Sequence, residues 1–274
     1  MTFRLNFWGV RGSIACASAD HIRYGGNTSC IEVDVGDRFF VLDAGTGIRT
    51  LGRKFIKEDI REAHLMLTHT HWDHINGFPF FAPAYDPKRS IHILAGHLKE
   101  RGGIREALSN QMGSPMFPVP LEAMRANIRF EDFNAGDSFA LYPDVNVRTT
   151  ALNHPNGATG YRIEYNGHSM CYITDTEHVP GKPDRNVLDL IEGADMVIYD
   201  STYTEAEFPS RVGWGHSTWN EGVDLCKAAG VKRMAIFHHE PDHDDDFMDR
   251  IEEEAKKKWS EAFVAREGMK IILD

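Results

Sequence analysis

The sequence predicts an α/β protein in which two mixed β-sheets pack face to face with helices on the outside. Two observations predict it. Strand-like runs with interleaved helical runs occur twice along the 274 residues. No Pro/Gly/Ser-rich linker parts the halves and no short-period repeat appears, so residues 1–274 read as one domain. A hydrophobic content of 42% can fill a core of that size.

The elements follow in order. Residues 3–8 alternate as a strand, and 27–43 hold a hairpin that turns at Gly36-Asp37. A helix is predicted over 48–57, with Ile48, Leu51, Phe55 and Ile56 on one face. A buried strand covers 64–68, and another covers 91–95. The segment 97–125 starts as a helix and then breaks at Pro115, Pro118 and Pro120; it reads as a lid inserted over a pocket. Strands are predicted near 127–130, 138–142, 145–152, 160–165 and 169–174. A helix at 186–192 leads to a strand at 195–199, and a helix at 218–229 to a strand at 233–237. Asp244-Asp245-Asp246 can cap a last helix reaching about Phe263, before a closing strand at 269–273.

The chemistry is concentrated in Thr68-His69-Thr70-His71-Trp72-Asp73-His74, directly after His64-Leu65-Met66-Leu67. Imidazoles with a carboxylate suit Zn, Mn or Fe. Four donors this close do not wrap one tetrahedral ion comfortably, so the turn predicts two divalent ions, one held by His69 and His71 and its neighbour by Asp73 and His74. Further donors end other strand-like runs: His154, Asp175, and His238 beside His239. His216 stands just before a predicted helix. Two ions also want a bridging carboxylate, and Asp175 is the candidate.

The bulk numbers narrow the class. A formal charge of −11 favours small substrates over nucleic-acid polymers. Cys16, Cys30, Cys171 and Cys226 include no C-x-x-C pair, and they read as a reduced set. No signal-peptide pattern and no bilayer-length apolar run is visible, so the expected location is cytoplasmic with no membrane partner.

The chain resembles the metallo-β-lactamase-fold hydrolases from about residue 5 to 240. It looks closest to their phosphodiesterase branch, which includes ribonuclease Z, the cyclic-phosphate diesterase of phosphonate breakdown and bacterial cyclic-nucleotide phosphodiesterases. The resemblance rests on Thr68–His74, His154, Asp175 and His238, on Gly9-Val10-Arg11-Gly12-Ser13, on Tyr24–Ser29, and on Leu42-Asp43-Ala44-Gly45-Thr46-Gly47. It implies an αββα sandwich. It assigns His69, His71 and His154 to one ion, Asp73, His74 and His238 to the other, and Asp175 to both. Asp43 would support the metal turn from behind, and His238 is preferred to His239. The Gly215-His216-Ser217-Thr218 stretch resembles the ribonuclease Z element whose histidine protonates the leaving group, with Asp200 orienting it.

The implied activity is hydrolysis of a phosphodiester by a water ionised between two metals, with Zn first and Mn or Fe as alternatives. The tRNA-gripping arm of ribonuclease Z falls between His154 and Asp175, where this chain has little room. A small phosphodiester such as a 3',5'-cyclic nucleotide is therefore expected, with Phe81, Tyr85, Met116, Phe117 and Trp214 available to line a base pocket. A lactonase or lactamase, a tRNA 3'-end endonuclease and a non-catalytic metal sensor are the alternatives. His243 reads as a loop or surface residue, and an exposed 112–119 segment offers a surface for a homodimer.

Overall fold

A computed structural model describes residues 2–273, so the end positions 1 and 274 of the predicted domain lie outside it. The first half runs β1 (Phe3–Gly9), β2 (Cys30–Val35), β3 (Arg38–Leu42), α1 (Ile48–Lys57), β4 (Glu62–Leu67), α2 (Trp72–Ile75), β5 (Ser90–Ala95), α3 (Gly103–Gln111) and β6 (Asn127–Asp132). The second half runs β7 (Ser138–Tyr142), β8 (Val145–Leu152), β9 (Ala158–Tyr165), β10 (His168–Ile173), α4 (Arg185–Ile191), β11 (Met196–Asp200), α5 (Trp219–Ala228), β12 (Met234–Phe237), α6 (Asp245–Lys258), β13 (Ala262–Val264) and β14 (Lys270–Leu273).

The strands form two seven-stranded sheets, ordered β14-β1-β2-β3-β4-β5-β6 and β13-β12-β11-β10-β9-β8-β7. Each sheet is mixed. β3 to β6 run parallel, as do β10 to β13, while β1–β2–β3 and β7–β8–β9–β10 run antiparallel. Parallel strands are covered on both faces, which explains the apolar runs Leu65–Leu67 of β4, Met196–Tyr199 of β11 and Met234–Phe237 of β12.

The core has three layers of side chains. Between the sheets lie Phe3, Phe7, Phe40, Met66, Tyr161, Tyr172, Ile198 and Phe237. Outside the first sheet, α1 and α3 pack through Leu51, Phe55, Ile104 and Leu108. Outside the second, α4, α5 and α6 pack through Val187, Leu190, Val223 and Ile251. The predicted αββα sandwich is thus present. No described helix is long and apolar enough to cross a membrane, and all four cysteines are free thiols.

Several local expectations need correction. Ile56 points outward, and Gly52 takes its place on the buried face of α1 against Phe81 and Pro83. The last helix stops at Lys258, because Trp259 turns extended and Ala262–Val264 become an edge strand beside β12. Met112 is buried rather than exposed, although Met116 in the same segment is open to solvent.

One histidine pair inside this frame sets a pH response. His64 on β4 pairs in register with His92 on β5, and its ring stacks on Phe40. Burial, with His92 and Arg129 nearby, pushes the His64 imidazole down to about 4. In the unfolded chain it titrates near 6.5, so on acidification the unfolded state takes up the proton first. The stability due to neutral His64 is complete above pH 6.5 and drains as pH falls toward 4, by up to about 3 kcal/mol. Urea midpoints should therefore drop more between pH 7 and pH 5 in the wild type than in His64→Gln. Equal drops would clear His64 of this role.

Candidate metal centre

The site forms where parallel strands end. Asp43 follows β3, the segment 68–74 follows β4, Asp175 follows β10 after Thr174, Asp200 ends β11 and His238 follows β12. Asp43, Asp175 and His238 all adopt left-handed backbone, with φ of 62°, 59° and 62°. Non-glycine residues avoid this region, so three such positions at one centre mark strain that the surrounding packing sustains. The sharp turn at each strand end swings the side chain from the sheet into the centre.

Three overlapping donor sets converge; one of them joins Asp175 and His238 to Asp200 and His216, and the other two share out the donor turn. His69, His71, His154 and Asp175 present ligand atoms within 4.8 Å of one another, and Asp73, His74 and His238 do the same. Asp175 faces both sets with different oxygens. Its Oδ1 lies 3.1 Å from His74 Nε2 and 3.2 Å from His238 Nε2. Its Oδ2 lies 3.5 Å from His69 Nε2 and 3.4 Å from His154 Nε2. Within the sets, His154 Nε2 is 3.0 Å from His71 Nδ1, and His74 Nε2 is 3.3 Å from His238 Nε2.

The tautomers follow from what stands behind each ring. His74 donates Nδ1–H to Asp43 Oδ2 at 2.8 Å, and His154 donates Nδ1–H to the Gly215 carbonyl at 2.7 Å. His238 Nδ1 donates to Thr202 Oγ1 at 3.0 Å. His69 Nδ1 meets Thr68 Oγ1 at 3.1 Å. Each Nε2 is then the nitrogen turned toward the centre, the arrangement that partners behind metal-bound imidazoles impose.

Asp43 is the anchor of this outer layer. It accepts from Thr68 N, Thr68 Oγ1 and Tyr172 Oη as well as from His74. It thereby ties β3, β4 and β10 together.

Carboxylates and imidazoles are strongly coupled here. Asp73 and Asp175 are buried, which raises a carboxyl's pKa, yet the surrounding histidines hold both well below the usual range. Burial opposes charge on His74, but Asp175, Asp73 and Asp43 push it well up. Burial and its histidine neighbours push His69 well down. His69 Nε2 is moreover fully enclosed and accepts no hydrogen bond. Divalent ions of the Zn, Mn or Fe class fit this all-His/Asp set.

Beside the donors stands His216. Its Nδ1 lies 3.0 Å from Asp200 Oδ2 and 3.9 Å from Asp175 Oδ2, and its ring stacks on His238 at 4.9 Å. Burial opposes its charge, but Asp200 first and then Asp175 and Asp73 raise it to about 9. Asp200 is itself fixed by Thr176 N, Thr202 N and Thr202 Oγ1.

The backbone around the centre leaves no slack. Arg11 is fully buried and donates to the carbonyls of Gly25, Glu240 and His243, which pins the loop after His238. Ser13 N donates to Asp73 Oδ2 at 2.8 Å. A Cβ at Gly12 would sit 2.3 Å from the His238 ring, so only glycine fits there.

Sequence reasoning missed Glu177. Its Oε2 accepts from Gly213 N and Gly215 N, at 2.7 and 2.9 Å. It thereby fixes both the carbonyl that orients His154 and the residue before His216.

The structure separates the remaining candidates. His239 turns away and bonds the Ala265 carbonyl at 2.9 Å, so His238 alone of the pair faces the donors. His243 lies in the loop before α6, as expected, but not at the surface: it is buried, stacks on Phe247 and meets Glu207 at 2.8 Å. Phe81 cannot line a base pocket, because it is buried against Phe55. Tyr85 donates its hydroxyl to the Pro79 carbonyl. Phe117 is half-buried and packs on Phe80. Trp214 and Met116 remain exposed, as does Trp72 within the donor turn.

Comparison with known proteins agrees with this geometry. Ribonuclease Z of Haloarcula marismortui is 23% identical, over 87% of this chain and 86% of its own length. The metallo-beta-lactamase fold protein YhfI from Bacillus subtilis superposes with a TM-score of 0.76 at 17% identity, covering 99% of both chains. A diphosphatase from the PhnP family superposes at 0.71 with 16% identity, covering 99% of this chain and 98% of its own. Residues 38–239 match the profile described as the Beta-lactamase superfamily domain. That stretch spans the donors from Asp43 to His238, and the chain belongs to the beta-lactamase superfamily, with the metallo-beta-lactamase fold.

Proposed function

We propose that the protein is a dinuclear metal-dependent phosphodiesterase acting on a small phosphodiester, with a 3',5'-cyclic nucleotide as the first choice. His69, His71 and His154 would hold one ion and Asp73, His74 and His238 the other, with Asp175 shared. Two divalent ions, when bound, bring the ionisation of water near neutral pH and offset the charge gathering on phosphoryl oxygens.

The observation that carries the reading is His216 held by Asp200 against the donor cluster. With Nδ1 on the carboxylate, Nε2 is the nitrogen left to give a proton to a departing alkoxide. An alkoxide is a poor leaving group, so a positioned acid is worth most in phosphodiester cleavage.

A cavity of about 520 Å³ lined by Trp72, Ile75, Gln111 and Met116 borders the donor turn and is sized for the organic part of such a substrate. The 97–125 segment supplies Gln111 and Met116 and would serve as the lid.

A second reading is cleavage of tRNA 3' ends, favoured by the relatives named Ribonuclease Z. The expectation against polymeric nucleic acid is weakened by those relatives. Against a tRNA role, the stretch between His154 and Asp175 is filled by β9 and β10, joined by a tight turn at Asn166-Gly167 with φ of 51° and 82°. A panel of cAMP, bis(p-nitrophenyl) phosphate, a lactone and a precursor tRNA, offered to metal-analysed protein, separates the readings. The proposal expects turnover of the small phosphodiesters; turnover of the lactone or the tRNA alone would refute it.

Two variants probe the roles. His216→Ala should keep its metal and lose roughly 10²–10⁴-fold in turnover of a substrate with an alkyl leaving group. The same variant should lose far less with a p-nitrophenolate leaving group, which departs without a proton. Equal losses would contradict the acid role. Gly12→Ala should displace His238, so elemental analysis should find the ion of the Asp73, His74 and His238 set depleted while the far-UV spectrum stays native. Full occupancy would show that the Gly12 contact does not position that ligand.

A further inference from the structure

A second histidine cluster lies at the other end of the sandwich. On β4, His64 is five residues before His69, roughly 16 Å along an extended strand, too far to share the centre described above. A cleft of about 410 Å³ opens here between the edge strands of the two sheets, lined by Glu62, His64, His92, Arg129, Glu131 and Leu141. His64 Nδ1 and His92 Nδ1 face each other at 3.2 Å. His92 Nε2 donates to Glu131 Oε2 at 3.0 Å, and His64 Nε2 lies 3.0 Å from Tyr142 Oη.

Two proton arrangements fit these contacts. In one, Tyr142 donates to His64 Nε2, and His64 Nδ1–H donates to His92 Nδ1. In the other, the Tyr142 hydroxyl donates a hydrogen bond to the Glu62 carboxylate that it also faces. His64 Nε2–H then donates to the Tyr142 oxygen. Both Nδ1 atoms become lone pairs looking at each other, and something positive must sit between them. A proton is disfavoured there, because burial and Arg129 push both imidazoles down.

The spacing suits a metal. Two imidazole nitrogens on a tetrahedral Zn ion lie roughly 3.3 Å apart. The nitrogens paired within each donor set of the main centre are 3.0 and 3.3 Å apart. As in that centre, each imidazole here has its far nitrogen engaged by an oxygen, which fixes the ring with its near nitrogen presented. Glu62 and Glu131 outnumber Arg129 around the cleft, so the local charge accepts a cation.

We propose that His64 and His92 form a separate two-histidine site for a transition cation of the Zn or Cu(II) class, with water from the cleft completing its coordination. Bound there, the ion ties β4 to β5 and, through Tyr142, the first sheet to β7 of the second.

The test is metal counting on the full chain. Wild type, His92→Asn and His64→Gln are dialysed against excess Zn and then analysed for metal per chain. One ion more per chain in the wild type than in both variants is expected, whatever the occupancy of the main centre. Equal counts would overturn the proposal. Cu(II) titrated into Zn-loaded protein supplies an independent readout. A paramagnetic signal split by two nitrogens is expected in the wild type and absent from His92→Asn; the same signal in both proteins would overturn the assignment. Because neither measurement uses turnover, failure of the phosphodiesterase reading would leave this result unaffected.

Discussion

The architecture of the centre depends on one buried carboxylate with two faces. Asp175 turns Oδ1 toward His74 and His238, and Oδ2 toward His69 and His154. Donors from four segments far apart in sequence meet around this group, which is held at the seam between the sheets. It sits there because β10 is a central strand of the second sheet and its backbone reverses into the left-handed region at Asp175. A buried anion without counter-charge is costly, and the imidazoles around Asp175 hold its carboxyl well below the usual range.

The rest of the fold can be understood as support for that strained seam. Asp43 ties three strands to His74. Arg11, buried and bonded to three carbonyls, closes the loop that delivers His238. Glu177 plays the same part for the 213–216 turn, joining the orientation of His154 to the placement of His216. Strain at functional positions persists only where neighbours over-determine it, and each strained residue here has such neighbours. The ends of parallel strands are well suited to the task, since their turns are free to diverge while the strands themselves stay fixed.

Much of this was legible in the chain. The donor turn announces itself because its ligands are contiguous and follow a buried strand, so local pattern alone brings four of them together. His154, Asp175 and His238 are each a single polar residue at a strand end, and only their joint resemblance to the family links them. The preference for His238 over His239 rests on the place of the family ligand after the strand; in the structure His239 turns to the Ala265 carbonyl. Glu177 was not legible: it acts through backbone N–H groups of a distant turn, and no side-chain pattern encodes that. The exposure of His243, though not its place in a loop, and the role of Phe81 were misjudged because polarity and aromaticity do not report burial, and tertiary packing decided both. The edge strand 262–264 was hidden because its apolar residues continue the helical spacing of α6, while the break at Trp259 is a backbone event.

The central claim is that one aspartate joins two ions into a single centre. Electron paramagnetic resonance of the Mn(II)-loaded protein addresses it most directly, with Asp175→Ala as the comparison. The account predicts the spectrum of an exchange-coupled manganese pair in the wild type, replaced by uncoupled or absent manganese in the variant. A wild-type spectrum of isolated manganese ions, or a coupled pair that survives the loss of Asp175, would contradict it.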